Sequence, residues 1–164
     1  MKRSLIAVVT AMAMLLTAVA AEAVIRNGSY SGKTDRGLPT SFKVTTKKVN
    51  KKKRKYVVNH AIKLHFDCTD GDQFDALAGG GARSLGPSPK GVRFRIKNGK
   101  FGFTATRNDG AGGYRVQGTI GGKNSKASGY AEGVFKFNEQ NQLDPNGSIT
   151  CTAARQNWTA ARPK

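Results

Sequence analysis

Apolar and polar residues alternate along most of the chain after its first forty positions. In "YVVNHAIKLHFDC", Val58, His60, Ile62, Leu64, Phe66 and Cys68 fall on one side, and Asn59, Ala61, Lys63, His65 and Asp67 on the other. Successive side chains of a strand point to opposite faces, so this is the signature of a half-buried β-strand. "VRFRIKN" repeats it, with Val92, Phe94 and Ile96 alternating with Arg93, Arg95 and Lys97. "FGFTATR" gathers Phe101, Phe103 and Ala105; "YRVQGTI" gathers Tyr114, Val116, Gly118 and Ile120. "ASGYAEGVFKF" places Ala131, Gly133, Phe135 and Phe137 together, "SITCTA" pairs Ile149 with Cys151, and "SFKVTTK" pairs Phe42 with Val44.

Turn residues separate these runs. Asp70-Gly71, Asn98-Gly99, Asp109-Gly110 and Asn146-Gly147 are pairs that tolerate positive φ. Asn98-Gly99, between "VRFRIK" and "KFGFTA", predicts a tight hairpin. "GGGARSLGPSPKG", Gly79 to Gly91, predicts a flexible loop, and nothing beyond the N-terminal segment has helical periodicity with caps. The expected fold is all-β, an antiparallel meander of about nine or ten strands forming a barrel or sandwich. The short connections favour a meander that closes on itself.

The N-terminus sets the compartment. Lys2 and Arg3 precede the apolar run Leu5 to Ala20, and small-residue cleavage patterns follow at Ala18-Val19-Ala20 and Ala21-Glu22-Ala23. This is the layout of a cleaved signal peptide over residues 1–23. The run is shorter than a spanning helix requires. Residues 24–164 are then one secreted or extracytoplasmic domain. A nuclear localisation signal and an intracellular nucleic-acid role drop out. The sequons at Asn27, Asn146 and Asn157 are expected to stay unmodified after a bacterial-type signal.

Charge changes the picture most. The chain carries +18, and loss of residues 1–23 removes only Lys2, Arg3 and Glu22. Such an imbalance favours polyanionic partners. It is concentrated in "TTKKVNKKKRK", where Lys47, Lys48, Lys51, Lys52, Lys53, Arg54 and Lys55 fall between two predicted strands. The expectation is a basic hairpin loop over residues 47–55, either merely solvated or touching a polyanion. Arg93, Arg95, Lys97 and Arg115 project from polar strand faces and widen the positive area. The Phe residues fall on apolar faces, so the binding expected is electrostatic, without base stacking and without a specific nucleic acid.

Catalytic groups are sparse. His60 and His65, five apart on one strand, point to opposite faces and share neither a metal nor a proton. Asp67, Asp70, Asp72 and Asp75 lack the spacing and closing Glu of a calcium loop, and a solvated hairpin explains them better. Glu132 and Glu139 are a weak match to a glycosidase pair. "GTIGGKNS" lacks the phosphate-loop spacing at Gly122-Lys123. Trp158 is expected to pack over a barrel end. Cys68 and Cys151 are the only cysteines; an oxidising compartment favours a disulfide between them, with two buried thiols as the alternative. Neither a cofactor nor a metal is expected.

"GSYSGKTDRGLPTSFKV", "LHFDCTDGDQF", "NGKFGFTA", "VQGTIGGKNSKASGYAEGVF" and "CTAARQNWTAAR" together resemble small secreted actinobacterial β-rich proteins of unassigned function. The likeness runs from Gly28 to Ala160. It implies a secreted β-fold with a Cys68–Cys151 bridge and implies no activity. The lysine run looks like an elaboration on that pattern. The leading expectation is a non-enzymatic domain associating with anionic cell-envelope or extracellular polymers. The alternatives are a β-barrel carrier with a small molecule inside, and a secreted hydrolase or enzyme inhibitor.

Overall fold

The computed structural model describes residues 25–79, 93–121 and 125–163. The expected signal peptide (1–23), most of the Gly79–Gly91 loop, Val92 and Gly122-Lys123 lie outside them. Nine strands follow in chain order: β1 (Gly28–Thr34), β2 (Pro39–Val49), β3 (Lys52–Cys68), β4 (Gln73–Gly79), β5 (Phe94–Arg95), β6 (Lys100–Thr106), β7 (Gly112–Ile120), β8 (Lys126–Phe137) and β9 (Ile149–Ala161). All pairings between them are antiparallel.

The sheet runs β4-β3-β2-β1-β9-β8-β7-β6, and β5 lies on β3 beside β4. A further pairing of β3 with β9, at Asp67↔Thr152 and Cys68↔Cys151, folds the sheet over its inner face. The end strands β4 and β6 do not pair with each other. The expected self-closing meander is therefore a coiled, sandwich-like sheet and not a closed barrel. Among the described residues, β5 pairs with β3 at Tyr56↔Arg95 and Val57↔Phe94 alone.

The turn pairs act as their residues dictate. Asn98 and Gly99 have φ of 49° and 76°, and Lys97 and Lys100 exchange backbone hydrogen bonds across them. Gly71 (φ 93°) and Gly110 (φ 78°) turn the chain likewise.

Alternation is interrupted twice, and each interruption swaps the faces. Between Ser41↔Ala61 and Lys43↔Val58, β3 carries an extra residue, and Asn59 there has a φ of 49°. This bulge turns both Val57 and His60 inward and leaves Val58 half-exposed. The inward placement expected for Val58 is thus corrected: Val57 occupies the core. In β9 the register slips between Ala131↔Gln156 and Gly133↔Ala153. Ala154 and Arg155 are both exposed, and the inward series passes from Cys151 and Ala153 to Gln156, Trp158 and Ala160.

The inner face is filled. Trp158 lies within the core, at 5.9 Å from the Phe42 ring and 6.0 Å from Phe101, and Phe42 stacks on Tyr30 at 4.9 Å. Gly118 and Gly129 make room for the indole: a Cβ on either would stand 2.6 Å from its ring atoms. Phe66 and Phe135 fill the opposite half, at 5.7 Å. Among the described residues, one recess opens outward beside the disulfide and another across β6–β9 near Val134.

Cys68 and Cys151 form the bridge, joining residues that are already direct partners in the sheet. Disulfides persist in oxidising compartments, which fits an extracytoplasmic site. Among the described residues, no helix is long and apolar enough to cross a membrane.

Candidate polyanion-binding arm

The loop expected over residues 47–55 shrinks to two residues. Asn50 and Lys51 have φ of 50° and 62°, the conformation of a tight two-residue hairpin. The flanking residues are strand: Thr46↔Lys55, Lys47↔Arg54, Lys48↔Lys53 and Val49↔Lys52 are direct partners. Pairing of β1 to β2 stops at Gly28↔Val44, and β5 reaches β3 only at Tyr56 and Val57. One further backbone bond, from Ile96 N–H to the Lys55 carbonyl, closes that side. Beyond this root the segment is a two-stranded arm. Seven of the ten residues from Thr46 to Lys55 are basic.

The pairing forces like charges together. Lys47 faces Arg54 on one side of the arm, and Lys48 faces Lys53 on the other. Cross-strand partners have Cβ atoms about 4.5–5.5 Å apart, and like charges so placed oppose folding. Among the described residues, no carboxylate forms an ion pair with them. The ion pairs of the described residues lie elsewhere, at Arg36–Asp67, Lys63–Asp75, His65 with Asp67 and Asp75, and Arg107–Asp109. At the root, Lys55 Nζ and Thr46 Oγ1 both donate to Asn27 Oδ1, each at 2.9 Å. Partial burial there lowers the Lys55 pKa.

A second surface grows from the same strands. Lys43 pairs with Val58, Thr45 with Tyr56, and Tyr56 with Arg95. Paired residues share a face, so Tyr56 stands half-buried on the outer side with Arg95 beside it and Arg54 two residues along. Arg93, also exposed, precedes the Phe94↔Val57 pair. The basic residues of the arm, Arg93 and Arg95 are thus brought onto one region by β2, β3 and β5. Arg115 is not part of it. It lies on β7, exposed, opposite Thr104 of β6 and Glu132 of β8. The strict alternation of "YRVQGTI" correctly turned it outward but could not tell which strands would lie beside it.

Alternation alone missed Lys43 and Tyr56. Counting back by twos from His60 puts Tyr56 inside, and the bulge at Asn59 puts it outside. Asparagine, which tolerates positive φ, was the available cue.

The remaining candidates are structural. His60 is buried against Phe103, Phe94 and Tyr114, with ring centroids at 4.1, 5.3 and 6.3 Å. Its Nε2 lies 3.5 Å from the Tyr114 hydroxyl, and its Nδ1 has no partner. Burial lowers its pKa to about 4 and raises that of Tyr114 to about 12. His65 points outward, its Nδ1 2.8 Å from Asp75. That contact, with help from Lys63, holds the Asp75 carboxyl below its usual range. Asp70 caps the backbone N–H of Asp72, and Asp67 accepts from Gln73. Asp70 and Asp67 therefore serve the hairpin, and Asp75 the outer face. Among the described residues, no three His, Cys, Asp or Glu side chains are grouped to hold a metal ion.

No family model, no curated protein and no solved structure matches the chain.

Proposed function

We propose that the protein is a non-enzymatic extracytoplasmic domain that associates with anionic cell-envelope or extracellular polymers through the β2–β3 arm. The observation that carries this reading is the pair of like-charge partners, Lys47 with Arg54 and Lys48 with Lys53, with no ion pair to a carboxylate among the described residues. A ribbon that holds cations face to face is stabilised when a polyanion lies over it. The test is salt-dependent retention on heparin, phosphate-rich wall polymer and anionic vesicles. Replacing Lys51, Lys52, Lys53, Arg54 and Lys55 with glutamine should leave the fold intact. It should weaken binding and make the salt dependence shallower by about 0.8 logarithmic units per phosphate contact removed. Salt-insensitive retention, or none, on all three would end the proposal.

A second reading has its own observation: among the described residues, both edges of the arm are unpaired beyond its root. Lysines on an exposed edge deter strand addition by another chain. If they serve only as guards, the glutamine variant will self-associate and the wild type will show no polymer retention.

A further inference from the structure

We infer that the outer face around Tyr56 takes single-stranded nucleic acid, with one base stacked on the Tyr56 ring and adjacent phosphates held by Lys43, Arg54 and Arg95. This rests on the polyanion reading and narrows it to a ligand class, read without sequence preference.

The registers build the platform. Thr45, Tyr56 and Arg95 form one row across β2, β3 and β5, and Lys43 and Val58 form the next. Lys47 and Arg54 make the row toward the arm. Tyr56 is thus an aromatic ring set among cations, with small or aliphatic neighbours and no acidic residue in any of these rows. A base-free phosphate polymer gains nothing from a ring at that position. Unpaired bases do: stacking on an aromatic side chain serves every base, while surrounding cations track the backbone. The ring is half-exposed and, among the described residues, carries no cation over it. On the far side of the sheet Arg155 sits 3.7 Å over the Tyr130 ring, and no such cation–π contact covers Tyr56 among the described residues. A three-stranded face is too broad to enter a duplex groove, and stacking needs a base already out of its helix.

The experiment compares a fluorescent oligothymidylate with an abasic deoxyribose-phosphate oligomer of equal phosphate number, by anisotropy, on the purified protein. Wild type should bind the thymidylate about ten-fold more tightly, the scale of one stacked base. Tyr56→Leu should erase that preference and leave abasic binding unchanged, while Tyr56→Phe should keep it. If Tyr56→Leu fails to fold, the wild-type preference and Tyr56→Phe still decide. Equal, salt-sensitive binding of both oligomers by wild type would overturn the stacking platform and leave the electrostatic reading standing. A preference that survives in folded Tyr56→Leu would also overturn it. Binding of neither oligomer, with no retention on heparin, would remove both.

Discussion

Acidification should destabilise this protein through His60, in a pH window that its carboxylates do not share. The imidazole is enclosed by Phe94, Phe103 and Tyr114, and its Nδ1 has no partner. Desolvation lowers its pKa from 6.5 to about 4. Between those values the unfolded chain binds a proton that the folded chain refuses. Stability is therefore complete above about pH 6.5, falls as pH is lowered, and loses no more from this group below about pH 4. The full loss is about 3 kcal/mol, a large share of a small domain's total. Urea unfolding followed by the fluorescence of buried Trp158 would measure it. Comparing wild type with His60→Leu at each pH cancels the titration of other groups. The stability difference between them should shift by about 3 kcal/mol in favour of the variant from about pH 7 to about pH 4. A constant difference would show that protonated His60 is accommodated in the native state, and the burial argument would fail.

Three further outcomes follow from the packing. Gly129→Ala should cost about 3 kcal/mol or more, because its Cβ would stand 1.9 Å from the Gln117 carbonyl oxygen and 2.6 Å from the Trp158 ring; Gly71→Ala, into open space at φ 93°, should cost only about 1 kcal/mol by the same melt. Replacing both Cys68 and Cys151 with alanine should remove about 4.5 kcal/mol in the chain-entropy account, given the 83-residue separation, and wild type titrated with denaturant in reductant should lose the same amount. Gln156 accepts from the His65 N–H at 3.3 Å and donates to the His65 carbonyl at 2.8 Å, standing in for a strand between β3 and β9. Gln156→Leu should therefore cost about 1–3 kcal/mol and speed hydrogen exchange at the His65 amide.

The strands were legible because side-chain period and turn chemistry are local properties. Phe101, Tyr114, Val116 and Phe135 went inside as alternation required, and Asn98-Gly99 made the hairpin its residues favour. What escaped was parity. Two adjacent valines, Val57 and Val58, carry no information about which one faces inward, and the bulge at Asn59 decides it. The slip at Ala154–Arg155 is marked only by Arg155: counting by twos from Cys151 and Ala153 would bury its charge, while Ala154 fits either face. The lysine run misled in another way: its charge argues for water, and water reaches both faces of a free ribbon as readily as a loop. Pairing across Asn50-Lys51 is fixed by two backbone conformations that composition does not reveal. The grouping of Tyr56 with Lys43 and Arg95 is tertiary, set by which strands become neighbours.

The first strand is zipped to the last, with Ser31 opposite Ala161 and Thr34 opposite Trp158. As the chain is made, β1 and β2 can pair early, but the far edge of β1 stays open until β9 arrives. The indole of Trp158, around which Phe42 and Phe101 pack, arrives with the same strand. Such a sheet has few useful intermediate stopping points, since any product ending before β9 lacks both its central strand and the centre of its core. Folding is thereby deferred until β9 has been made, and a chain cut before it exposes two unpaired edges, on β1 and on β8.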